Sequence, residues 1–118
     1  MTVASMVLAT SLALLYFTLG VSKMSAISPM RERAAHVGMS VGTYRGIGAL
    51  EVAGAAGLLL GGLVPALGAA AGVGLLLLMV GAVVTHVRSG DGLREMMPAV
   101  VVGALILAYL LVLFGSIR

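Results

Sequence analysis

The chain has 118 residues, 61% of them hydrophobic and 9% charged, with a formal net charge of +3 and no cysteine. Its mean hydropathy of +1.20 lies far above that of a soluble domain. Without cysteine, disulfides, thiolate nucleophiles, thiol relays and iron–sulfur ligation are excluded, and basic residues that flank apolar runs without interleaved aromatics give no footprint for nucleic acid.

Met1 to Ser22 is uncharged and about long enough to cross a bilayer once. No basic residue precedes this run and no small-x-small cleavage site follows it, so it reads as a first membrane helix, 3–22, rather than a signal peptide. Within the loop that follows, Ser28 offers an N-cap, Pro29 the first helical position and Gly38 a stop. Met30, Ala34 and Val37 fall on one face, with Arg31, Glu32, Arg33 and His36 elsewhere, which suits a short helix on the membrane surface with its arginines near anionic headgroups.

Val52 to Val87 carries no titratable group except His86 and is too long for one span of about 20 residues. Gly61, Gly62 and Pro65 supply the break, giving helices 46–63 and 66–87 joined by a very short turn. After a charged loop, Met96 to Ile117 provides the last span, 97–116. The expected fold is therefore all-α: a single domain, 1–118, forming an integral membrane four-helix bundle with an interfacial helix between helices 1 and 2.

Orientation follows from the basic residues. Lys23, Arg31, Arg33 and Arg45 lie between helices 1 and 2, and Arg88 and Arg94 between helices 3 and 4. The positive-inside rule places the charged loops 23–45 and 88–95 in the cytoplasm and both termini outside.

Glu51 is the only charged residue well inside a hydrophobic span. A carboxylate at that depth costs several kcal/mol unless it is paired, hydrated or protonated, so it marks a functional site by default. Small residues allow close helix approach, and three stripes of them run toward ionisable groups: Ala9, Ala13, Tyr16, Gly20 and Lys23 on helix 1; Glu51, Gly54, Leu58 and Gly61, with Gly57 at the edge, on helix 2; Gly68, Gly72, Leu75, Met79, Ala82 and His86 on helix 3. Glu51 lies about 9 Å deeper than Arg45 at 1.5 Å per residue. Lys23 and His86 close their helices near that level.

Two readings follow. In one, Lys23 and Glu51 are an ion pair that fixes helix register, with His86 as an interfacial cap. In the other, the three groups share a small cavity that binds or protonates a lipophilic molecule with a polar head. Glu51 and His86 are then candidate catalytic residues, and Lys23, Tyr16, Tyr44 and Arg45 candidate ligand-binding residues. His36 and His86 are the only imidazoles and neither has a Cys, Asp or Glu at ligand spacing, so no metal site and no haem site are expected.

The segments GVSKM at 20–24, YRGIGALEVAGAAGLLLG at 44–61, PALGAAAGVGLLLLMVGAVVTH at 65–86 and RSGDG at 88–92 resemble the DoxX-like membrane protein family, in order and spacing along nearly the whole chain. The pairs Gly20 with Lys23, Gly48 with Glu51, Pro65 with Gly68, and Met79 with His86 carry the likeness. The resemblance implies a compact four-helix membrane protein but no single activity, since relatives include a subunit of a thiosulfate:quinone oxidoreductase, a membrane partner in an oxidoreductase complex, and assembly factors for receptors.

Three functions are compatible with these residues. The first is an accessory or redox-associated subunit that binds a quinone-like or lipophilic molecule, or docks a soluble oxidoreductase, through the polar cluster. The second is a membrane enzyme of isomerase or epoxide-opening type, with Glu51 and His86 as acid and base. The third is a purely structural subunit. Membrane lipid is an expected partner in each, and glycine-rich outer faces allow a homo-oligomer.

Overall fold

The computed structural model describes residues 2–116. The described chain is all helical, in the order α1 (Val3–Met24), α2 (Ser28–His36), α3 (Val41–Leu60), α4 (Pro65–Arg88) and α5 (Leu93–Ser116). Arg118, a basic residue beyond the last expected span, lies outside the described residues.

Each helix starts and stops for a local reason. Thr2 and Ser5 form a capping box at the start of α1, with Ser5 N–H donating to Thr2 Oγ1 at 3.1 Å and Thr2 N–H to Ser5 Oγ at 3.0 Å. α1 ends where Ala26 takes a left-handed conformation, φ 51°, and its N–H bonds the carbonyl of Lys23. In α2 the cap position falls on Ile27 and the proline follows one residue into the helix, so Ser28 is helical and makes no capping bond. Gly38, at φ 75°, closes α2: its N–H bonds Ala35 and the next N–H, of Met39, bonds Ala34, a left-handed C-cap. As expected, Met30 and Ala34 are buried while Arg31, Glu32, Arg33 and His36 face outward.

Ser40 caps α3 by accepting the Thr43 N–H at 3.0 Å, so this helix begins five residues before the expected boundary. Glu95 Oε2 likewise accepts the Gly92 N–H at 3.0 Å and starts α5 before Met97, leaving Pro98 inside the helix. Both differences have one cause. Hydropathy marks where a chain enters hydrocarbon, whereas capping groups mark where a helix begins, and here the polar first turns precede the apolar run.

α1 packs on α3, α3 on α4, α4 on α5 and α5 back on α1, while among the described residues the backbones of α1 and α4 stay apart. Among the described helices, α2 packs on α1 and α3. The core is small and apolar, formed by Leu12, Tyr16, Leu58, Leu75, Ile106, Tyr109 and Leu113 with alanines of α1 and α3. Ala9, Ala13, Tyr16 and Gly20 of the first stripe, Glu51, Gly54, Leu58 and Gly61 of the second, and Gly68, Gly72 and Leu75 of the third are buried, whereas Met79, Ala82 and His86, the rest of the third stripe, are only partly so.

The outer surface is the reverse of a soluble protein's. Leu14, Phe17, Leu50, Leu63, Leu77, Val87 and Leu111 are all more than half exposed. Contiguous apolar surface on this scale is costly in water and natural in hydrocarbon. α1, α4 and α5 are long and apolar enough to cross a membrane. α3 is not among them, because Arg45, Glu51 and its glycines dilute its apolar residues.

Candidate functional site

A backbone-to-backbone helix contact builds the site. Gly20 on α1 and Gly48 on α3 touch through their backbones: a Cβ on Gly20 would lie 2.6 Å from the Gly48 carbonyl oxygen. One on Gly48 would lie 2.7 Å from both the Gly20 carbonyl oxygen and Lys23 Cβ. Glycine at both positions is what lets the two backbones meet. Residues three further along each helix share the same face, so this contact turns Lys23 and Glu51 toward each other.

Lys23 Nζ donates to Glu51 Oε1 at 2.5 Å, with the Glu51 side chain 1% and the Lys23 side chain 11% exposed. The same ammonium lies 5.2 Å from the centroid of the Tyr44 ring, within range of a cation–π attraction. Tyr16 is fully buried two turns before Lys23 on the same face of α1. Since Gly20 meets both Gly48 and Val52, Glu51 sits between the levels of Tyr16 and Lys23.

The Tyr16 hydroxyl is buried without a hydrogen-bond partner among the described residues. Leaving such a group unpaired costs about 1–3 kcal/mol. The hydroxyl of Tyr109 is also unpartnered, wedged between Gly61 and Gly68 at the far end of the helices. Arg45 is exposed on the first turns of α3.

His86 belongs to a different cluster. In the α3–α4 register, Gly61 meets Gly68, Gly57 meets Ala71 and Gly54 meets Leu75. Continued, this pairs Glu51 with Leu78 and leaves His86 about 12 Å further along α4. There His86 Nδ1 lies 2.6 Å from Asp91 Oδ2, and His36 Nε2 lies 2.7 Å from Asp91 Oδ1.

The turn that ends α4 places the carboxylate. Gly90 takes φ 76° and the Asp91 N–H bonds the His86 carbonyl at 3.0 Å, so main chain and side chain of Asp91 both return to His86. His86 first and His36 second hold the Asp91 carboxyl below its ordinary value of 3.8, by hydrogen bonds to the ionised form.

The structure thus brings together Lys23, Glu51, Tyr16 and Tyr44, and gives His86 other partners. Sequence reasoning missed Asp91 and gave His36 only a place on a polar face. The signal was present in the Gly90-Asp91 dipeptide just past the end of α4, a C-cap that turns the following side chain back onto the helix. Among the described residues, no group of three or more His, Cys, Asp or Glu is arranged to hold a metal ion.

A shallow crevice, too tight to admit a water molecule, lies over Lys23 and is lined by Lys23, Ala26, Met30, Arg31, Ala34, Val41 and Tyr44. Three of these residues come from α2, which therefore covers the ion pair.

Long apolar helices, an apolar outer surface and a charge pair sealed inside define a small helical membrane protein. Residues 7–109 match the DoxX-like family, and the chain belongs to it. No curated protein and no solved structure matches the chain.

Proposed function

We propose that this protein is an accessory, redox-associated membrane subunit that holds the polar head of a quinone-like or other lipophilic small molecule at Lys23, Glu51 and Tyr16. The observation that carries this reading is the unpartnered Tyr16 hydroxyl beside a buried ion pair. A hydroxyl donor, an ammonium donor and a carboxylate acceptor at neighbouring levels of one helix interface form a compact set for a carbonyl or hydroxyl head group. The surrounding apolar side chains suit its tail. Tyr44 orients the ammonium, and a soluble oxidoreductase is the natural partner for such a subunit.

In this reading α3 crosses the membrane with α1, α4 and α5, its polar residues being shielded by packing, and α2 lies at the surface. The charged loops face the cytoplasm and both termini face outward. With Cys introduced at Thr2 or Ser89, an impermeant thiol reagent applied outside intact cells should label the first and spare the second. The opposite pattern reverses the orientation.

Binding is tested with a short-chain quinone titrated onto purified protein in detergent. Tyr16→Phe should weaken binding about tenfold, the equivalent of one lost hydrogen bond to a ligand, and the double variant Lys23→Met/Glu51→Gln should abolish it. Equal binding by all three proteins refutes the assignment of the site.

A further inference from the structure

α2 has the features of a hinged strap. It is nine residues long, and Met30 and Ala34 are its two buried residues. Both ends are bounded by left-handed residues, Ala26 at φ 51° and Gly38 at φ 75°. The first is a non-glycine residue in a conformation that costs roughly 1–2 kcal/mol, so the junction between α1 and α2 is strained while α2 is down. Beneath the strap lie Lys23 and Tyr44, with Met30, Arg31 and Ala34 of α2 forming the outer wall of the crevice that leads to them.

Two polar contacts tie the strap. At its start, Arg31 Nε donates to the Ala26 carbonyl at 2.8 Å, a contact within the hinge itself. At its end, His36 reaches the Asp91 carboxylate at 2.7 Å, a contact with the loop between α4 and α5. The second joins residues 55 apart in sequence. Asp91 is itself fixed by His86 and by the C-cap of α4, so the strap is fastened to a rigid post.

We propose that α2 is a gate over the Lys23–Glu51 pair and that the His36–Asp91–His86 cluster is its latch. With the latch made, the ion pair is shut off. With the His36–Asp91 contact broken, α2 swings on Ala26 and Gly38 and opens the crevice to the membrane surface, the direction from which a molecule with a polar head would enter. This inference rests on the reading of Lys23 and Glu51 as the working site, but access to Lys23 can be measured whether or not anything binds there.

The chain makes that measurement clean, because Lys23 is its only lysine and it has no cysteine. Purified protein is treated with an amine acylating reagent at one fixed pH, and modification of the Lys23 peptide is followed by mass spectrometry. Asp91→Asn and His36→Ala should each label about tenfold faster than the unaltered protein, the population change expected for losing a hydrogen bond to a charged group, with melting temperatures unchanged. In a second variant, Cys replaces both His36 and Asp91. It should label fast as made, and return to the slow rate when a short bis-maleimide bridges the two thiols.

Unaltered labelling in Asp91→Asn and His36→Ala overturns the gate. So does a bridged double-cysteine protein that still labels fast. If the gate passes these tests while no quinone binds, the gate stands and the ligand assignment alone falls.

Discussion

Lys23→Met alone, and Glu51→Gln alone, should each cost about 3 kcal/mol of stability, and the double variant should recover part of that loss. The pair is 11% and 1% exposed at a separation of 2.5 Å, so removing one partner strands the other group with neither a counter-charge nor water. Lys23→Met leaves a carboxylate in an apolar interface, which must take up a proton or draw in solvent. Glu51→Gln leaves an ammonium whose remaining neighbour is the Tyr44 ring. In the double variant both costs vanish, and the methionine still fills much of the space of the lysine stem. Thermal melting in detergent of the four proteins forms a double-mutant cycle, and purely additive losses would mean that the two groups do not interact.

Gly48→Ala should destabilise the protein by about 2 kcal/mol or more, although it adds only one methyl group. That methyl has nowhere to go: within 2.7 Å it meets the Gly20 carbonyl oxygen, which belongs to backbone and cannot rotate aside, and Lys23 Cβ. α1 and α3 must separate, and the Lys23–Glu51 contact lengthens with them. Gly74→Ala and Gly81→Ala are the controls, since a Cβ at either position meets nothing within 4 Å. Each should hold or raise stability, by up to about 1 kcal/mol from helix propensity. Equal melting temperatures for Gly48→Ala and Gly74→Ala would place the critical interface elsewhere.

How far these features were legible depends on the physics that encodes each. The stripes could be read because small residues at three- and four-residue spacing have one structural use in apolar helices, close approach. The Lys23–Glu51 pair could be read because a charge in that setting must find a partner and the chain offers few. Helix starts could not be read from hydropathy, which is blind to Ser40 and Glu95 as caps. His86 was placed with Glu51 because both close or occupy apolar runs, but depth along one helix converts to depth along another only once the register is known. The Gly61–Gly68 contact sets that register and carries His86 past Glu51 toward Asp91. Asp91 was missed as a partner because its role comes from the left-handed backbone of Gly90 before it, for which the glycine just past α4 is the sole sequence signal.

The ion pair also bears on the order in which the protein is made. Lys23 lies at the end of α1 and is synthesised first; its long stem lets the ammonium reach the headgroup zone while it waits. Glu51 lies mid-way along α3, the one long helix too poorly apolar to rank as a candidate span by itself. In the proposed topology α3 therefore depends on an already inserted α1 to receive its carboxylate, through the Gly20–Gly48 seam. In that topology Lys23 is then a template for the integration of α3 during biogenesis, and a chain lacking that ammonium should integrate α3 less efficiently, while the fraction that integrates still folds.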